Sequence, residues 1–92
     1  MSRLTIRRAH ALSDADLRTR IDRAALKLTE RFGAKCHWEG EVLRIEHASV
    51  SGAVTLHPRE IVVEATLGFP LAMFRRRAED EIGRILDREL GA

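Results

Sequence analysis

The chain has 92 residues, of which 45% are hydrophobic and 33% charged. This composition excludes an intrinsically disordered chain and is typical of one folded domain, which we expect to span residues 1–92. The single cysteine, Cys36, excludes an intramolecular disulfide and favours a reducing compartment. We find neither a signal-peptide pattern nor an apolar run long enough to span a bilayer, so we expect a cytoplasmic location. The net charge of +2 is too close to neutrality to indicate nucleic-acid binding.

A long amphipathic helix is predicted over residues 13–32. Ser13 and Asp16 have the spacing of a capping box at its start. Gly33 follows its last residue and can take the left-handed conformation that commonly ends a helix. The apolar residues recur at helical spacing and share one face: Leu17, Ile21, Ala24, Ala25, Leu28 and Phe32.

A hydrophobic period of two predicts five strands. The first covers residues 3–9, and four more lie between residues 34 and 67, joined by turns near 39–40, 49–52 and 57–60. One face of this meander is predicted to be buried: Cys36, Trp38, Leu43, Ile45, Val54, Leu56, Ile61, Val63, Ala65 and Leu67. The outward residues, mostly polar, favour a solvated opposite face: Thr5, Arg7, Arg44, Glu46, Thr55, Val62, Glu64 and Thr66.

A second amphipathic helix follows a break at residues 68–70. We expect Pro70 to be its first residue, since proline suits the first helical position, and Gly91 to end it. Gly83 within this helix costs up to about 1 kcal/mol relative to alanine. The predicted apolar stripe consists of Leu71, Phe74, Ala78, Ile82, Ile85 and Leu86.

The predicted order of elements is β-α-β-β-β-β-α, which is an α+β fold. Two amphipathic helices need one apolar surface, and a curved antiparallel sheet supplies it. We therefore expect both helices on one face of the sheet. The other face would then be solvated or used for association. We also predict that the first strand pairs with the last.

No pattern in the chain indicates catalytic chemistry, a metal site or a cofactor. Cys36 is expected on the buried sheet face, whereas His37 points to the opposite face, so the two cannot form a nucleophile–base pair. The sequence lacks a glycine-rich phosphate loop, a nucleophile elbow and a dinucleotide fingerprint. None of the four histidines stands in a metal-ligand spacing: His10, His37, His47 and His57. We therefore do not expect an enzyme.

Residues 67–74 form the longest apolar run and allow two interpretations. The first is a buried corner where a strand leads into a helix. The second is an exposed apolar wedge that meets a polymer, a lipid-like surface or another subunit; its contact residues would be Phe69, Leu71, Met73 and Phe74. The cations Arg75, Arg76 and Arg77 follow at once. They form either a solvated helix face paired with the acids at 79–81 or the basic flank of an interfacial anchor.

Several short segments occur in order along nearly the whole chain: His10-Ala-Leu-Ser13, Glu30-Arg-Phe-Gly33, Cys36-x-Trp38-Glu-Gly40, Val50-Ser-Gly52 and Leu67-Gly-Phe-x-Leu-Ala72. Together these segments resemble the polyhydroxyalkanoic acid system protein family, small bacterial proteins associated with polyhydroxyalkanoate granule gene regions. The resemblance implies a role in storage-polymer metabolism or granule organisation. It implies no enzymatic activity and supplies no catalytic residues.

The resemblance and the residues together lead to three hypotheses. The first is a non-catalytic accessory protein that associates with the polyester granule surface or with granule-associated proteins. The second is a carrier that holds a small apolar or lipid-like ligand between the sheet and the second helix. The third is a weakly basic nucleic-acid-binding regulator, which the scarcity of aromatic residues disfavours. A homodimer is compatible with each of them.

Overall fold

The computed structural model describes residues 2–69 and 71–91, and it describes all of their side chains except those of Ser2, Phe32 and Leu71. The strands and helices follow the predicted order along the chain. Their bounds are β1 Ser2–Ala9, α1 Asp14–Phe32, β2 Lys35–Glu39, β3 Val42–His47, β4 Val50–Leu56 and β5 Glu60–Leu67, then a 3₁₀ segment Leu71–Phe74 and α2 Arg75–Glu89.

The five strands form one open antiparallel sheet in the order β1-β5-β4-β3-β2. The predicted pairing of the first strand with the last is confirmed, with Ile6 opposite Val63. Neighbouring strands in the β2–β5 meander pair in sequence, as short turns require. This arrangement leaves β1 and β2 as the two edges of the sheet.

Both helices pack on one face of the sheet, which confirms the predicted α+β architecture. Leu17 and Ile21 of α1 and Leu86 of α2 belong to the same buried cluster as the inward residues of the strands. Leu4 and Ile61 are among its most deeply buried side chains. The apolar stripes of two helices and one sheet face therefore account for the core, as binary patterning predicts.

The predicted ends of α1 are also confirmed. Ser13 Oγ accepts a hydrogen bond from the backbone N–H of Asp16 at 3.2 Å. Gly33 has φ 69°, and its N–H donates to the carbonyl of Thr29 at 3.0 Å. A side-chain cap and a left-handed glycine thus satisfy backbone groups that a helix cannot pair internally.

The start of the second helix differs from the prediction. Residues 71–74 are 3₁₀ helix and α2 begins at Arg75, while the predicted start, Pro70, lies outside the described residues. A 3₁₀ segment has about three residues per turn, so its side chains do not continue the stripe of an α-helix. Phe74, predicted on the core stripe, is therefore mainly exposed, and the prediction of its burial is wrong.

Gly83 lies where a side chain from β1 crosses α2. A Cβ atom at Gly83 would stand only 2.8 Å from Arg8 Nη2. Arg8 Nε donates to Asp87 Oδ1 at 2.9 Å one helical turn further on, and its Nη1 donates to the carbonyl of Arg7 at 3.0 Å. The glycine therefore makes room for a guanidinium that connects the edge strand with the helix.

Candidate functional site

The candidate site is the corner where the chain passes from β5 to α2. The backbone N–H of Gly68 donates to the carbonyl of Ser49 at 2.8 Å, and that of Ala72 donates to the carbonyl of Gly68 at 3.0 Å. The half-buried side chain of Ala72 packs against the core. These contacts hold the backbone on both sides of the corner.

Three large apolar side chains project from this corner into solvent. Phe69 is 80% exposed, Met73 70% and Phe74 53%; we call these three residues the apolar corner. The interpretation of a buried corner is therefore wrong for all three, because the small residue Ala72 takes the inward position instead. The fourth predicted contact residue is Leu71, whose side chain lies outside the described set.

The first turn of α2 consists of Arg75, Arg76 and Arg77, all exposed. The N-cap residue, Phe74, supplies no side-chain hydrogen bond, and the first turn holds no acidic residue. Cations at the positive end of the helix dipole are each unfavourable by about 0.3–1 kcal/mol. The sequence at this helix start is therefore poor for helix stability and well suited to attract an anion.

The acidic residues that follow do not neutralise these arginines. Glu81 instead accepts a hydrogen bond from Arg84 Nη1 at 2.9 Å, on the next turn of the helix. Within the described part of the chain, no carboxylate oxygen lies within 4.0 Å of a nitrogen of Arg75, Arg76 or Arg77. The three charges therefore flank the apolar corner without internal partners there.

Cys36 and His37 lie on opposite faces of the sheet, as the sequence predicts. Cys36 Sγ lies 3.9 Å from Thr29 Oγ1 and 3.9 Å from the carbonyl oxygen of Ala25, on the core side. His37 is exposed on the other face, where its Nε2 lies 3.0 Å from Glu39 Oε2. The hydrogen bonds from His37 and, next, from Arg44 lower the pKa of Glu39 below its usual value. This arrangement is a hydrogen-bonded cluster around Glu39 and not a thiol–imidazole pair.

Two open grooves lie on the surface away from the apolar corner. One, of about 450 Å³, runs between β1 and α2 and is lined mainly by charged side chains, with Gly83 among its lining residues. The other, of about 520 Å³, lies on the sheet face that the helices leave uncovered, and Gly52 and Ala53 of the central strand line part of it. Charged side chains stand on both sides of it, including Arg3, Arg44, Glu46 and Glu64.

Two further findings concern function classes. Among residues 2–69 and 71–91, no three His, Cys, Asp or Glu side chains are grouped closely enough to hold a metal ion. Over the same residues, neither helix has the length and apolar character needed to cross a membrane.

Comparison with known proteins gives one match. The family model for polyhydroxyalkanoic acid system proteins matches residues 4–90. No curated protein and no solved structure shows significant similarity to the chain. The match runs from the first strand to the end of the second helix, so it includes the whole sheet and the apolar corner. Because the family model covers nearly the full length, the chain belongs to the polyhydroxyalkanoic acid system protein family.

Proposed function

We propose that this protein is a non-catalytic accessory protein of polyhydroxyalkanoate storage that associates with the granule surface, or with proteins on it, through the apolar corner. One observation carries the proposal: Phe69, Met73 and Phe74 lie within six residues of one another and are all mainly exposed. Large apolar side chains grouped on a surface typically mark a contact with another molecule. The family supplies the biological setting, since its description places the chain in the polyhydroxyalkanoic acid system.

The apolar area at the corner is enough for a reversible attachment. Three such side chains at these exposures present roughly 400 Å² of apolar surface. Removal of that area from water is worth about 10 kcal/mol at about 25 cal/mol per Å². Association costs offset much of this gain, with estimates from about 4 to 15 kcal/mol. One corner therefore supports weak binding to a polyester surface, and additional contacts strengthen it.

The arginines that begin α2 supply a second kind of contact. Arg75, Arg76 and Arg77 directly follow Phe74, so apolar insertion and cationic attraction act side by side. This is the combination by which peripheral proteins attach to apolar surfaces that carry anionic groups. A granule offers ester and hydrocarbon groups to the apolar corner, and any carboxylates on its surface attract the arginines.

Cosedimentation with purified granules tests the proposal. The double variant Phe69→Ser/Met73→Asp should lose granule binding at least 10-fold, since it removes apolar area from exposed positions and adds a repelling charge. Its thermal unfolding should match that of the wild type, because neither side chain is part of the core.

Leu26→Ser is the matched control, since Leu26 is another exposed large apolar residue, 58% exposed, but lies on α1. It should bind granules like the wild type. Protein-free polyester particles separate attachment to the polymer from attachment to granule proteins. A folded Phe69→Ser/Met73→Asp variant that sediments with granules as the wild type does would refute the role of the corner.

No observation favours the two alternative functions. The two surface grooves are lined mainly by polar and charged side chains, which do not suit a small apolar ligand. Among the described residues, the uncovered face of the sheet carries no Phe, Tyr or Trp side chain on which a base could stack.

A further inference from the structure

The sheet face opposite the helices has an ordered arrangement of charge. Strand pairing aligns its residues in three rows that run across the sheet from β2 to β1. The rows are Lys35-Glu46-Ser51-Thr66-Arg3, His37-Arg44-Ala53-Glu64-Thr5 and Glu39-Val42-Thr55-Val62-Arg7. We call this surface the open face.

The middle of the open face is built from small side chains. Ser51, Ala53 and Thr55 of β4 form the central column, and the groove of about 520 Å³ runs across this region. The neighbouring columns carry Arg44 on one side and Glu64 on the other. Small side chains along the centre allow a second sheet to pack closely against this face.

The charges on the two sides of β4 are complementary to each other. In the second row Arg44 stands on one side and Glu64 on the other, and in the third row Glu39 and Arg7 occupy the two edges. A surface that has a positive charge on one side of β4 and a negative charge at the matching position on the other side is complementary to a second copy of itself. The second copy is related to the first by a rotation of 180° about the central column.

We propose that two copies of the chain pack their open faces together about a two-fold axis that runs along β4. In that arrangement Arg44 of each copy faces Glu64 of the other. Val42 faces Val62, and Ser51, Ala53 and Thr55 lie along the axis. Two opposite-charge pairs and two valine pairs thus form near the centre of the interface, where aligned sheets stay in register despite their twist.

Val62 is already covered in the isolated chain. The sequence places it on the outward face, and the strand register confirms that position, yet only 7% of its surface is exposed. The expectation that its position is solvated is therefore wrong, because neighbouring side chains already exclude water around it. Val62 therefore adds little newly buried area to the dimer, and the half-buried Val42 supplies most of the apolar surface in this pair.

The charge pattern also favours this axis over one that runs across the strands. A two-fold axis across the strands would place Arg44 against Arg44 and Glu64 against Glu64, which costs free energy at every central charge. With the axis along β4, the like-charge contact among the residues of the three rows is Lys35 against Arg3, which forms twice, at two corners of the face. Water and salt screen charges at those exposed positions.

The size of the open face fits a weak dimer. Five strands spaced by about 4.8 Å and three rows spaced by about 7 Å give a footprint of roughly 24 by 20 Å. Two such faces bury about 1,000 Å² or slightly more, at the lower end of specific interfaces. We therefore expect a dimer that forms in the micromolar range of concentration.

The proposed axis has a consequence for granule attachment, and this step rests on the proposed function above. Rotation about an axis parallel to the strands preserves their direction, so both apolar corners lie at the same end of the dimer. Two corners at one end can contact one surface together. Such bivalent binding strengthens a weak contact by about 100-fold or more.

Sedimentation equilibrium or light scattering tests the dimer. The wild type should show twice the 10.4 kDa chain mass at about 100 µM, in the concentration range given above. Arg44→Glu alone and Glu64→Arg alone should each weaken dimerisation at least 10-fold, because each places like charges at both central pairs. An equimolar mixture of the two variants should restore the dimer, since unlike charges then face each other in both pairs.

The mixture controls for misfolding, because a variant that fails to fold cannot be rescued by the other. Arg23→Glu, an exposed charge reversal on α1, should remain dimeric. Any one of three results would overturn the proposal. They are a wild type that stays monomeric up to about 500 µM, which is five times the concentration of the test; single variants that dimerise like the wild type; and a mixture that stays monomeric. Granule binding separates the two hypotheses: the monomeric variants should bind granules about 100-fold more weakly, whereas the Phe69→Ser/Met73→Asp variant should dimerise normally without binding.

Discussion

Replacement of Gly83 by alanine should change stability by an amount that depends on Arg8. In an exposed helix interior, alanine is more stable than glycine by about 1 kcal/mol. Here the new Cβ would lie 2.8 Å from Arg8 Nη2, so the guanidinium must move and its ion pair with Asp87 weakens. That pair is partly exposed, and such pairs contribute about 0–1 kcal/mol.

The two effects should nearly cancel in the single variant. We expect Gly83→Ala to change the free energy of unfolding by less than about 0.5 kcal/mol in the wild-type background. In an Arg8→Ala background the steric conflict is gone, so the same change should stabilise the protein by about 1 kcal/mol. For a domain of this size, 1 kcal/mol corresponds to a rise in melting temperature of about 4–8 °C.

A double-mutant cycle measured by urea unfolding checks this reasoning. Gly83→Ala, Arg8→Ala, the double variant and the wild type give a coupling free energy of about 0.5–1 kcal/mol if the guanidinium crosses the helix at Gly83. A full gain of about 1 kcal/mol in the wild-type background, with no coupling, would show that the contact is absent. A loss of more than about 2 kcal/mol would show that Arg8 cannot move aside.

Two further predictions concern the sheet. Gly52→Ala should destabilise the protein by about 1–3 kcal/mol in chemical unfolding, because its Cβ would lie 3.1 Å from a backbone carbonyl oxygen of β5 that pairing holds in place. Gly68→Ala, where the nearest atom is at 3.5 Å, should change stability much less, and equal effects would contradict this steric reason. Glu39→Gln should destabilise the protein near pH 6, because His37 and Arg44 lower the pKa of Glu39 and so stabilise the folded state above the unfolded value of 4.5. That advantage should disappear as the pH falls through the lowered pKa, and an unfolding difference that stays constant down to pH 2.5 would argue against these hydrogen bonds.

The interaction surfaces show where sequence reasoning was incomplete. The apolar run at residues 67–74 drew attention to the corner, but the pattern allowed either burial or exposure. The α-helical spacing assumed from Pro70 onward placed Phe74 on the core stripe, whereas the 3₁₀ segment at residues 71–74 turns it into solvent. Whether residues 71–74 form 3₁₀ or α-helical hydrogen bonds depends on how the chain leaves the preceding strand. Here the backbone N–H of Gly68, directly after β5, donates to the carbonyl of Ser49.

The sequence predicted the open face itself but not the arrangement of its charges, for a different reason. The small residues Ser51, Ala53 and Thr55 are visible in the sequence at a period of two, and that pattern could have indicated a shallow centre. Their meaning depends on the neighbours that strand pairing brings beside them, and Arg44 and Glu64 come from different strands. The spacing of Arg44 and Glu64 along the chain does not indicate that they lie on the two sides of β4.

The sequence by itself determined most of the local structure of this protein: the order of strands and helices, the caps of α1 at Ser13 and Gly33, and the residues of the core apart from Val62 and Phe74. These features follow from periodicity and from the conformational preferences of single residues, which act over a few positions along the chain. Only the tertiary structure decided which large apolar residues remain in water, why Gly83 interrupts a helix, and which charges stand opposite one another on the open face. Those outcomes depend on contacts between segments far apart in sequence, such as Arg8 with Asp87, and packing in three dimensions sets them.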